Sequence, residues 1–229
     1  MISKITQTEY LHAIYLNDRL KCENIFSSGQ LHSLMTTSIY LHGPRSDYYT
    51  LPLDELKNKP GEIFKGLVNP RSGALIEADI IRRGQHLVKF GRNVTEQYQK
   101  HILKVADAEL AFESHRRELD PKRQLPSRLT CLFICEDDDR GANNIRSMLN
   151  ETKGILICRV RVEVIPMGYH QADFRWFNAY YKQPLQKYIE NYWAGKPYDD
   201  SRVWECLLEG TITFCQEDID NVRLYGNFG

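Results

Sequence analysis

Leu132-Phe133-Ile134-Cys135-Glu136-Asp137-Asp138-Asp139-Arg140-Gly141-Ala142-Asn143-Asn144 is an apolar strand that ends in acids and passes into a helix. The apolar run begins at Leu129 and the helical pattern extends from Asp139 to Leu149. Downstream, Ile155, Ile157, Val160, Val162, Val164 and Ile165 populate a long β-type segment. Val203 to Phe214 and Val222 to Tyr225 read as later strands, and the aromatic-rich stretch Phe174 to Trp193 has helical spacing in its second part. Upstream, Tyr10 to Leu16 is a first strand, Leu20 to Phe26 a short helix, and Ser27-Ser28-Gly29 a turn. Ser38 to Asn69 is punctuated by Pro44, Pro52 and Pro60, with Pro70 following, which predicts irregular chain. Ala74 to Leu119 repeats Ile76, Ile80, Ile81 and Ile102, Val105, Ala106, Leu110 at helical spacing, predicting two or more helices before Pro121. The expected fold class is α+β, one domain over residues 1–229 with a helical insertion at about 40–125, after the first strand.

Composition narrows the function. Acidic and basic residues number 30 each, so no global field draws the chain to nucleic acid or an anionic membrane, and any such contact needs a local patch. Cys22, Cys131, Cys135, Cys158, Cys206 and Cys215 form no C-x-x-C pair and no zinc spacing, so no metal is expected and the thiols read as reduced. The opening MISKITQTEYLHAIYL lacks the pattern of a secretory signal, and no run has membrane-spanning length. A cytoplasmic location without membrane contact is the expectation.

Three segments carry chemistry. Tyr10-Leu11-His12-Ala13-Ile14-Tyr15 puts a histidine on the first strand; the strand-to-helix join carries Phe133; and Val203-Trp204-Glu205-Cys206-Leu207-Leu208 places a carboxylate inside an apolar strand. The last is the sharpest anomaly, because a charge there is costly unless it faces a site or a partner. In order and spacing the three resemble the ADP-ribosyltransferase superfamily, in its histidine, aromatic, glutamate branch, which includes the poly(ADP-ribose) polymerases and DarT-type toxins. His12-Ala13 resembles that branch's first motif, Phe133 stands where tyrosine is commoner, and Glu205 resembles its late-strand glutamate. Gly154 to Val160 resembles the strand that follows the second motif in the rifampicin-modifying transferases. Glu217 to Tyr225 resembles the family's closing return strand. The resemblance covers residues 10 to 31 and 127 to 225.

The resemblance implies a split, mixed β-sheet core and NAD as the substrate, with no metal. It assigns Glu205 to stabilising the ribose cation as nicotinamide leaves. It puts His12, donating a hydrogen bond, against the adenosine-side ribose, the Ala13 backbone on the nicotinamide amide, and Phe133 against the ring. Arg128, just ahead of the Phe133 strand, is the candidate for the pyrophosphate. Val203 stands where arginine-modifying members carry a second acid, which disfavours an arginine acceptor. Arg71, Arg82, Arg83, Lys89, Arg92, Arg116, Arg117, Lys122, Arg123 and Arg128 are numerous enough for a phosphate-tracking surface, or for a solvated helix face. An RNA or DNA target is therefore favoured over a protein side chain, with the chain acting as a toxin or phage-defence effector that has a neutralising antitoxin. The rivals are a non-catalytic NAD-binding module on the same fold and an RNA 2'-phosphotransferase. Asp173 reads as either a substrate-loop residue or a helix cap. Glu136 to Asp139 read as helix N-terminal acids, and both the phosphate loop and the dinucleotide fingerprint are absent.

Overall fold

The first strand, β1 (Glu9–Tyr15), lies at the centre of an antiparallel sheet in the computed structural model, which describes residues 9–34, 36, 51–64, 69–89, 91–120, 125–149, 154–162 and 168–226. On one side β1 pairs along its whole length with β6 (Ile155–Val162), from Glu9 opposite Arg161 to Tyr15 opposite Ile155. On the other it meets β5 (Leu132–Glu136) through only two registered pairs, Tyr10 with Glu136 and Leu11 with Cys135. With β2 (Gln30–His32), β7 (Gly168–Asp173), β8 (Trp204–Glu209) and β9 (Thr211–Phe214), the order is β2-β9-β6-β1-β5-β8-β7. The architecture is α+β as expected, but every registered pairing is antiparallel, which corrects the mixed sheet implied by the resemblance. Two further short strands, β3 (Val88–Lys89) and β4 (Arg92–Asn93), form a separate hairpin.

One face of the sheet is closed by α1 (Arg19–Ser28) and a C-terminal helix, Gln216–Tyr225. Cys22, Ile25 and Val222 from them pack on Tyr10, Ile14, Ile134, Cys206 and Leu208. Gly29 ends α1 with φ +68, a left-handed cap that glycine adopts without steric cost. The terminal helix corrects the strand expected at Val222 to Tyr225. Val222, Leu224 and Tyr225 are strand-type residues, but Glu217 and Asp218 suit a helix N-terminus and Ile219 and Val222 share one helical face toward the core.

The helical segment expected upstream of β5 contains α2 (Leu53–Asn58), α3 (Pro60–Ile63), α4 (Pro70–Arg82) and the long α5 (Glu96–Leu119). Prolines open these helices rather than break them: Pro52 caps α2, and Pro60 and Pro70 take first-turn positions, where a missing N–H leaves no bond unmade. Pro44, Pro121, Val164 and Ile165 lie outside the described residues. Leu56, Phe64, Leu75, Ala78, Ile102 and Ala106 make a core of their own between these helices. Each fully buried large side chain there contributes roughly 1.5–3 kcal/mol.

α6 (Asp139–Leu149) runs along the other face of the sheet and packs Ile145 on Leu11 and Cys135. Asp138 Oδ1 accepts from the Gly141 amide at 2.6 Å, so the acid run starts the helix. Gly141 is obligatory, since a Cβ there would lie 1.9 Å from the Glu136 carbonyl oxygen. The aromatic stretch forms α7 (Arg175–Lys182) and α8 (Gln186–Trp193), which pack Phe177, Ile189, Tyr192 and Trp193 against Phe112 of α5 and Leu207 of β8. Asp173 is not the N-cap, which is Phe174 and makes no side-chain cap hydrogen bond. It lies one residue earlier, with Oδ1 accepting from the Arg175 amide at 3.1 Å and Oδ2 from the Tyr198 amide at 2.9 Å, and so ties the start of α7 to the loop before β8.

Candidate functional site

Because β1 and β5 register over only two residues, they part beyond Leu11, and His12 spans the gap. Its Nδ1 lies 2.7 Å from the Phe133 carbonyl oxygen. A carbonyl only accepts, so Nδ1 carries the proton and donates. The donor role expected for His12 toward a ribose is therefore spent on Phe133, and the ring's free function is acceptance at Nε2, which is buried with no partner. Burial, then the charge of Lys21, push the His12 pKa down to about 3 against the Phe133 bond, so the imidazole is neutral.

His12, Ala13, Phe133 and Glu205 come from three distant segments and wall one cavity of about 380 Å³, with Lys21, Arg71, Glu109 and the α6 residues Ile145 and Met148. Alternation along β8 aims Glu205 and Leu207 at the helical face and Cys206 and Leu208 at the opposite core. Glu205 is fully buried and held from two sides. Its Oε2 accepts from Arg71 Nη2 at 2.6 Å; its Oε1 accepts from the Tyr192 hydroxyl at 2.6 Å and from Arg128 Nη1. Burial alone would raise its pKa, but the charges of Arg128 and Arg71 and these hydrogen bonds prevail and hold it down to about 2.

Glu109, on α5, doubles this arrangement. It accepts from Arg128 Nε at 2.8 Å and Nη2 at 3.1 Å, and Arg71 Nε lies 3.5 Å away. Two guanidinium groups thus alternate with two carboxylates, and the four formal charges cancel. Arg128 is 1% exposed and stands behind Glu205, over the Phe177 and Tyr192 rings. It is not among the residues walling the cavity, which corrects its expected pyrophosphate contact. Arg128 instead fixes the position and ionisation of Glu205.

Arg71 occupies the site itself. Its guanidinium lies 3.7 Å from the centroid of the Phe133 ring while it pairs with Glu205. The local sequence sets it there. Asn69 caps α4 by accepting from the Arg71 amide at 2.9 Å, and its side-chain amide donates to the Cys131 carbonyl at 3.1 Å, tying the helix start to the entrance of β5. Sequence reading counted Arg71 among surface cations and missed Glu109 and Tyr192. The signal for Glu109 was an acid on the inward side of α5, beside Ala106 and Phe112.

Most of the basic residues counted toward a phosphate-tracking surface have acidic partners. Arg116 is 1% exposed and grips Glu113 at 2.6 and 2.9 Å, Arg117 joins it at 2.8 Å, Arg82 pairs with Asp107, Arg83 with Asp79, and Lys89 with Glu77. Lys122, Arg123 and the Arg92 side chain lie outside the described residues. Among the described residues, no helix is long and apolar enough to cross a membrane, and no cluster of three or more His, Cys, Asp or Glu is placed to hold a metal ion.

Residues 57–221, well over half of the chain, match the model of a family described as protein of unknown function (DUF2441). The match includes Arg71, Glu109, Phe133 and Glu205 and begins after the strand that carries His12. No curated protein and no solved structure matches the chain.

Proposed function

The chain belongs to the DUF2441 family, and we propose that it is an NAD-dependent mono-ADP-ribosyltransferase. The observation that carries this reading is the cavity in which His12, Ala13, Phe133 and Glu205 meet, with a planar cation already held between the Phe133 ring and the Glu205 carboxylate. The oxidised nicotinamide ring is also planar and cationic. With the ring on Phe133, the attached ribose carbon comes beside Glu205.

In the proposed reaction the bond between C1′ and the ring nitrogen breaks, and nicotinamide leaves neutral with the bonding pair. Positive charge then moves to the ribose. Glu205 is ionised at every physiological pH and prevented from rotating by Arg128 and Tyr192, so its charge faces the forming cation without reorganisation. An acceptor heteroatom then bonds C1′ and its proton passes to solvent. His12 Nε2 accepts a hydrogen bond from a sugar hydroxyl. Lys21, which lines both this cavity and a neighbouring one of about 350 Å³, is the cation for the diphosphate in place of Arg128.

The acceptor is a macromolecule. The proposal of RNA or DNA rests on the single-glutamate pattern around Glu205 rather than on the paired basic residues, and a toxin or phage-defence role in the cytoplasm, with an antitoxin partner, follows the same resemblance. Incubating the purified chain with NAD and cell extract, then measuring free nicotinamide, tests the chemistry. Release that depends on Glu205 is expected, and no release above a heat-killed control would end the proposal. Separate nuclease and protease digestion of the labelled product identifies the acceptor.

A further inference from the structure

The cavity already contains a ligand of a kind, and its chemistry says what can replace it. Arg71 presents a flat, delocalised cation to the Phe133 face at 3.7 Å, leaving no room for a second ring on that face. Its charge is also needed there. Glu205 and Glu109 are both buried, and Arg128 neutralises only one of them, so Arg71 supplies the second positive charge. A group that displaces Arg71 without bringing a charge leaves a buried carboxylate uncompensated, which is strongly unfavourable.

We infer that Arg71 is an internal stand-in for the substrate ring and the residue that restricts the site to positively charged, oxidised nicotinamide. This inference rests on the proposed NAD chemistry. Oxidised NAD replaces one planar cation by another and keeps the charge balance; the reduced ring is neutral and cannot. Displacement needs only side-chain rotation, since Asn69 holds the Arg71 backbone. The hold on the side chain is also incomplete, because Arg71 Nη1 is buried with no hydrogen-bond partner. The same balance favours product release. Once the glycosidic bond is broken and the ribose captured, nicotinamide is neutral, and Arg71 regains the carboxylates.

Calorimetric titration of NAD and NADH into the wild type, Arg71→Gln and Arg71→Lys, each checked by thermal melt, tests this. The wild type is expected to bind NAD at least tenfold more tightly than NADH. Both variants are expected to bind NAD more tightly than the wild type, glutamine by at least tenfold and lysine by less, because an ammonium stacks poorly on a ring. If Arg71→Gln does not fold, the lysine variant alone still decides the direction. NAD binding that is equal or weaker in the folded variants would overturn the inference while leaving the NAD reading intact. Equal binding of NADH and NAD by the wild type would overturn the charge selection. If no folded protein binds either dinucleotide, the NAD reading itself falls, and this inference with it.

Discussion

Glu205→Gln removes one negative charge and little else, and the structure sets its effect on both stability and rate. Relative to an ordinary value of 4.5, a pKa of about 2 means that the folded state favours the ionised carboxylate by about 3 kcal/mol, at 1.36 kcal/mol per unit. The sign follows from a folded pKa below the unfolded one: the contribution is complete above pH 4.5 and disappears as pH falls through 2. Glutamine loses it at neutral pH and leaves Arg71 and Arg128 facing Glu109 alone, a net buried positive charge. A loss of about 3 kcal/mol should lower the melting temperature of a chain of this size by roughly 6–12 °C. Turnover should fall about a hundred- to a thousand-fold, beyond anything explained by unfolding, if the assay is run well below the variant's midpoint. Urea melts of both proteins at pH 7 and pH 3, beside nicotinamide release at pH 7, complete the test. The stability gap should narrow in acid. A variant as stable as the wild type at pH 7 would refute the ionised, doubly paired Glu205, and a stable, fully active one would refute its place in catalysis.

Other outcomes follow from the same contacts. Phe133→Tyr should keep activity, whereas Phe133→Ala should raise the KM for NAD, with loss of a stacking contact worth on the order of 1 kcal/mol; an unchanged KM would make the ring mere packing. Gly141→Ala should lower stability by at least about 1–3 kcal/mol in denaturant melts, since the new methyl meets the Glu136 carbonyl, and a neutral result would contradict the α6 start described above. Burial raises the Glu209 pKa to about 7 against hydrogen bonds from Thr130 and Ser33, so the wild type should lose stability as pH rises from 4.5 through 7. Glu209→Gln should accordingly gain up to about 3 kcal/mol over the wild type at pH 8 and nothing at pH 4, measured by urea midpoints. Arg116→Glu should fail to fold, as circular dichroism would show, because it places an acid against buried Glu113; a folded variant would mean that the Glu113 cluster is dispensable.

Local signals were legible where they repeat within a few residues. The periodicity of β1, α1, β5, α6 and β6 appears in the chain itself, as does the anomaly of an acid at Glu205. What stayed hidden depends on partners far away in sequence. Arg71 is 134 residues from Glu205, and Arg128 is 19 from Glu109 and 77 from Glu205, so nothing local marks either arginine as buried. Counting cations therefore suggested a basic surface where the fold makes internal ion pairs. β7, with the composition Gly-Tyr-His-Gln-Ala-Asp, has no apolar alternation because both its faces are buried, Tyr169 in one core and Ala172 in the other, and it went unrecognised. The terminal helix was misread for the opposite reason: Val222, Leu224 and Tyr225 look like a strand until the acids that precede them are weighed as a helix start.

The narrow join between β1 and β5 makes the sheet mechanically two panels, one of four strands and one of three, hinged at Tyr10 and Leu11. Each panel has its own continuous hydrogen-bond ladder, so breathing at the hinge breaks no ladder within a panel; it breaks the His12 link and loosens the packing of Ile145 on Leu11 and Cys135. Amide exchange should accordingly divide there. The β1–β6 ladder should exchange only through the rarest openings, while the β5 amide hydrogens that look toward β1 past the two registered pairs exchange through a smaller, more frequent one. The proposed reaction, which admits a dinucleotide and presents its ribose C1′ to a bulky acceptor, has in that hinge a way to widen without unfolding either panel.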